Sequence, residues 1–206
     1  MQKSLIFVDK ISTWVGHAFS LLIVGLTLLI TWEVFSRYAL GNPHDWAFDA
    51  MIMLYGTFFM MAGAYTLAKN GHVRGDVLYS FFRPRTQAAL DLLLYVVFFT
   101  PGVIALTYAG YFYAAESWAI KEHSSITAEG PPIYPFKTVI PVAGAFLLIQ
   151  GLVEIVRCVI CIRQGTWPSR EEDVEEVDVD KLKALVHVTD ADLQVSGAPT
   201  ANGTAK

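Results

Sequence analysis

Charge is scarce in this sequence. Only 17% of its 206 residues are Asp, Glu, Lys or Arg, and 54% are hydrophobic, whereas soluble domains carry about 25% charge. An ordinary water-soluble domain is excluded. No basic patch is present, which removes nucleic acid as a partner. The net charge of −4 reflects acid gathered in the tail. Acids are missing from the middles of the second and third apolar runs, where Asp49 and Asp91 stand only at the ends. A proton or ion path would want titratable groups near the midplane. There is no nucleophile elbow, phosphate-binding glycine loop or pair of catalytic carboxylates. No hydrophilic stretch is long enough to hold a soluble active site. No internal repeat is visible, which weighs against a self-sufficient transporter built from inverted repeats.

Cysteine and histidine are equally sparing. Cys158 and Cys161 form the sole C-x-x-C. Four-helix membrane disulfide oxidoreductases relay electrons between two such pairs, with the substrate-facing pair outside the cytoplasm. Here the one pair lies in the apolar run from Val156 to Ile162, at the expected cytoplasmic end of the fourth span, where thiols stay reduced. Two small packing residues are the favoured reading, with a membrane redox enzyme as the alternative. Of five histidines, only His17 lies inside an apolar run. Bis-histidine haem needs two facing imidazoles, and no metal-ligand spacing occurs. No cofactor and no metal are expected.

Long apolar blocks dominate what is present. Four blocks approach or exceed the roughly twenty residues needed to cross a bilayer. They predict transmembrane helices at about 12–36, 46–68, 88–113 and 136–162. Continuous apolar runs exclude a barrel, which would alternate. The fold class is therefore an all-α integral membrane protein. Residues 1–11 form an amphipathic lead, with Leu5, Ile6 and Val8 beside Lys3 and Lys10. The first block is too long for a removable signal peptide, and no small-residue cleavage site follows it. Residues 164–206 form an acidic tail, expected to be largely disordered after Arg170 with a short helix around Asp180 to His187. Basic residues set the orientation. Lys3, Lys10, Lys69, Arg74, Arg83, Arg85, Arg157, Arg163 and Arg170 fall on one side, against Arg37, Lys121 and Lys137 on the other. The positive-inside rule places both termini in the cytoplasm.

Several spacings carry structure. From Val73 to Phe82 the apolar residues gather on one helical face, which predicts a short interfacial helix. Pro84 is placed to end it and turn the chain into the third span. Glu33 and Arg37 are four apart and Glu154 and Arg157 three apart, so each pair shares a helix face. Asp49 opens the second span on the same side as Glu33. Gly56 and Gly63, and Gly144 and Gly151, lie seven apart and mark faces where a neighbouring helix comes close. Pro101-Gly102 predicts a bend in the third span, and Pro141 one near the start of the fourth.

Three stretches together carry a family resemblance: Trp32 to Gly56, Gly63 to Tyr79 and Gly130 to Arg157. They hold Arg37-Tyr38 after the first span and Trp46 with Asp49 at the start of the second. Gly71-His72-Val73-Arg74 with Asp76 comes between the second and third spans, and the prolines from Pro131 to Pro135 come before the fourth. In these features, over about Ile11 to Arg163, the chain resembles the DctQ-like small membrane subunit of tripartite ATP-independent periplasmic (TRAP) transporters. Asp49 stands where many relatives carry Glu, and Gly75 replaces a more usual branched residue.

The resemblance implies a non-enzymatic subunit in a bacterial inner membrane. Its partners would be a large transmembrane transport subunit, a periplasmic substrate-binding protein and membrane lipids. The complex would import organic acids on a sodium gradient, with substrate and sodium held by the large subunit and this chain as scaffold. Glu33, Arg37, Trp46 and Asp49 would brace the outer face. His72, Arg74 and Asp76 would anchor the inner face. Glu116, Lys121, Glu122 and Glu129, in the loop between spans three and four, would meet the binding protein. An assembly factor of another membrane complex is a further alternative.

Overall fold

A computed structural model describes residues 2–71, 79, 81–127 and 130–168. Among these residues, four helical stretches are long and apolar enough to cross a membrane: Ser4–Ala39, Asp45–Ala68, Pro84–Ile120 and Tyr134–Gln164. Inside lipid a helix alone satisfies every backbone group of such a run. The first stretch has 36 residues and rises about 54 Å, well beyond a hydrocarbon core of about 30 Å.

Each stretch is shaped by local chemistry. The first consists of α1 (Gln2–Ser20) and α2 (Leu22–Ala39), which meet at Leu21. The helix takes in the amphipathic lead. At the joint, Ser20 Oγ donates to the His17 carbonyl at 2.7 Å, a back-bond that competes with the helical ladder. The second span is the unbroken α3 (Asp45–Ala68). The third begins with α4 (Pro84–Leu94), whose proline sits in the first turn, where its missing N–H costs nothing. A π-helical turn, Tyr95–Phe99, follows, and then α5 (Thr100–Ile120). Pro101 has no N–H and its ring crowds the carbonyl one turn back. The wide turn just before it absorbs that mismatch, so the bend expected at Pro101-Gly102 takes the form of a π segment. The fourth span joins α6 (Tyr134–Lys137) to α7 (Val139–Gln164). Pro141 falls in the first turn of α7, where its lost donor would have been an orphan. Gly165 ends α7 in the left-handed region, φ +83°, its N–H bonded to the Cys161 carbonyl at 2.7 Å; an L side chain is strained there.

The hub is α7. It packs against α1, α3, α4 and α5, whereas α2 leans on α3 and, among the described residues, α3 and α5 make no extended contact. The most apolar window of the fourth span is 39% buried, against 11% in the first and third, so one central helix is flanked by others open to the membrane. Lipid tails are as apolar as leucine, so close approach drives this packing. A side chain at Gly63 would strike Leu147, one at Gly110 would strike Ile140, and ones at Gly144 and Gly151 would strike Thr107 and Phe99. All four expected glycines face a neighbour, since Gly56 lies against Phe136. One apolar cluster joins Val15, Met61 and Ala143. Another joins Ala88, Cys158 and Cys161 beneath Leu92, Tyr95, Ile162 and Trp167.

Candidate functional site

Polar side chains gather at the two ends of the helices. Of the described residues, the near end carries 2–12, 69–71, 79, 81–84 and 157–168; the far end carries 36–49, 116–127 and 130–138.

At the near end, the face of α7 formed by Gln150, Glu154 and Arg157 meets Asp9 and Ser12 of α1. Spacings of four and three on α7, and three on α1, bring these residues onto facing stripes. Arg157 donates to Glu154 at 2.8 Å and, through its other terminal nitrogen, to Asp9. Gln150 Nε2 donates to Asp9 at 2.9 Å, and Ser12 Oγ donates to Gln150 Oε1 at 2.9 Å. None of the five is more than 3% exposed. The Glu154–Arg157 pair was legible in the sequence. Asp9, Ser12 and Gln150 were missed, although a polar residue recurring at helical spacing within an apolar helix was an available signal. Cys158 and Cys161 lie three apart on this helix, buried and not joined by a disulfide. Cys161 Sγ faces the Pro84 carbonyl at 3.6 Å, a small packing residue's setting.

At the far end, Arg37 donates to Glu33 at 2.9 Å, as their spacing predicts. His44 completes that carboxylate's shell, with its backbone N–H at 3.2 Å and its ring Nδ1 at 3.0 Å. Asp49 does not join this cluster. It is 2% exposed and accepts from Ser124 Oγ at 2.5 Å and Thr127 Oγ1 at 2.8 Å, both in the loop between spans three and four. The turn Tyr38 to Asp45 places His44, rather than Asp49, beside Glu33. Trp46 is about half exposed, in tilted contact with His44.

The loop itself is closed. His123 and Pro132 form an antiparallel bridge. Ser124 N–H bonds to the Pro131 carbonyl at 3.0 Å, and Ile133 N–H to the Glu122 carbonyl at 3.0 Å. Lys137, 8% exposed, pairs with Glu122 and lies 3.9 Å from the Tyr113 ring centroid. That ammonium holds the Glu122 carboxyl below the ordinary glutamate range. Trp118 lies in tilted contact with the Tyr134 ring, centroids 4.4 Å apart, and donates to Thr138 at 2.8 Å. Glu116 and Lys121 are exposed, and Lys121 (φ +50°) terminates α5. Glu122 is paired with Lys137 and remains partly exposed, while Glu116 and Lys121 are exposed. His72, Arg74, Asp76, Glu129 and the tail after residue 168 lie outside the described residues, as does the interfacial helix expected from Val73 to Phe82 apart from Tyr79, Phe81 and Phe82. No group of three or more His, Cys, Asp or Glu that could hold a metal occurs among the described residues.

Comparison with known proteins gives one informative finding. A family model described as "Tripartite ATP-independent periplasmic transporters, DctQ component" matches residues 26–161, well over half of the chain. A search of curated proteins finds no match.

Proposed function

Starting from the chain's membership of the DctQ component family of TRAP transporters, a family of multi-pass membrane subunits and not of enzymes, we propose that it is the scaffold of a binding-protein-dependent importer. It would sit in a bacterial inner membrane with its near end in the cytoplasm. The complex takes up an organic acid with sodium, and the large transport subunit holds both. The observation that carries this reading is the way the chain spends its polar residues. The ionisable groups buried in the described spans are engaged with neighbours; even Asp91, which lines a pocket with Leu94, Tyr95, Phe98 and Phe99, accepts from the Tyr79 hydroxyl at 2.7 Å. Large apolar side chains such as Leu28, Phe59, Phe98 and Leu152 are meanwhile exposed along the helices. Such a chain offers rigid surface and no transport path. The far-end loop is the docking surface for the binding protein, with Glu116 and Lys121 as its charged contacts.

Affinity purification from native membranes in mild detergent tests the proposal. A stoichiometric partner of many spans is expected, together with substrate uptake that depends on both chains and on sodium. Recovery of this chain alone, stable and monodisperse, refutes it.

A further inference from the structure

The loop between spans three and four is long enough to be mobile, yet one side chain from outside it reaches its centre. Asp49 stands in the second turn of α3, far in sequence from the loop. Its two carboxylate oxygens each take one loop hydroxyl, from Ser124 and Thr127. Ser124 is the junction. Its backbone N–H binds Pro131, its hydroxyl donates to Asp49, and the same oxygen accepts the Ile126 N–H at 3.2 Å. Gly130 packs so closely on Ser124 that an added Cβ would collide with the Ser124 carbonyl. The result is a short hairpin with its polar core turned toward α3 and with Ile126, 59% exposed, on its outer side.

We infer that Asp49 is a latch that holds this loop in the shape that receives the binding protein. It is a positioning residue, and the inference rests on the docking role proposed above. The physical reason is entropic. A docking loop that is already ordered does not have to be immobilised on binding, so that ordering cost is not charged against affinity. A carboxylate is suited to this because it presents acceptors only, so both hydroxyls must donate inward. The latch is independent of the Glu122–Lys137 pair, which ties the loop's base to α6.

The test uses the assembled complex with three variants: Asp49→Ala, the double variant Ser124→Ala/Thr127→Val, and all three changes combined. Hydrogen exchange over residues 122–133 and the Kd of the purified binding protein are read together, with complex yield as control. The expected result is at least tenfold faster exchange, about tenfold weaker binding protein affinity and unchanged yield. The combined variant should be no worse than either parent, because both remove one interaction. Asp49→Glu, which keeps the carboxylate, should restore part of the affinity. Unchanged exchange in Asp49→Ala overturns the latch. Faster exchange with unchanged affinity overturns the docking role of the latch; the loop-docking reading falls separately, if Glu116→Ala with Lys121→Ala also leaves affinity unchanged. If Asp49→Ala fails to assemble, the loop-side double variant, which leaves α3 intact, decides between the same outcomes.

Discussion

Asp9→Ala should strongly destabilise the near end. Asp9 accepts from the Arg157 guanidinium and from the Gln150 amide, and all three groups are at most 2% exposed. Removing the carboxylate leaves two buried donors with no acceptor from α1. Hydrogen bonds inside membrane proteins average about 0.6 kcal/mol and reach about 1.7. Two of them give about 1–3 kcal/mol. Breaking a buried ion pair costs about 3–5 kcal/mol in soluble proteins. Glu154 still pairs with Arg157 at 2.8 Å, so the guanidinium is not wholly uncompensated, and about 3 kcal/mol is the value we expect. At about 2–4 °C per kcal/mol for a chain of this size, Tm falls by about 6–12 °C. The assay is thermal unfolding of the purified subunit in detergent, followed by loss of the monodisperse species. Asp9→Asn keeps one acceptor for Gln150 and should fall roughly half as far. Asp9→Leu with Glu154→Leu and Arg157→Met should recover most of the loss, because a packed apolar replacement of a buried ion cluster is often neutral. A Tm within about 1 °C of the parent in Asp9→Ala refutes the argument that this network fastens α1 to α7.

Three other outcomes follow from the same geometry. Gly144→Val drives a side chain into Thr107, whereas a Cβ at Gly102 meets nothing within 4 Å; the first should destabilise by about 1–3 kcal/mol and Gly102→Ala should be neutral or slightly stabilising, both read as Tm. Glu122 has its folded-state pKa lowered by Lys137. Its contribution to loop order is therefore present above the ordinary glutamate pKa of about 4.3 and is lost only as pH falls through the lower folded value. Exchange protection at Ile133, whose N–H bonds the Glu122 carbonyl, should be flat from neutral pH down to about 5, and a loss beginning near pH 6 contradicts the pairing. Replacing both Cys158 and Cys161 by Ala should cost stability through lost packing, since both are almost fully buried, and leave uptake per assembled complex unchanged; abolished uptake at normal yield would revive the redox alternative.

The sequence by itself determined the spans, because twenty apolar residues in a row admit one solution in lipid. It also determined contacts within one helix. Glu33 with Arg37, and Glu154 with Arg157, follow from helical spacing alone. The paired glycines announced close approach, though not what approaches. Tertiary structure decided every polar contact between distant segments. Asp49 shares a membrane face with Glu33 in the sequence, yet its carboxylate serves Ser124 and Thr127, while His44 takes the place beside Glu33. Asp9 reads as one charge of an amphipathic lead, and only the docking of α1 against α7 turns it into the partner of Arg157. Helical period states which residues share a face. Which faces meet depends on how far α7 turns toward each neighbour, and the shapes of Leu147, Thr107 and Phe99 against glycine set that turn.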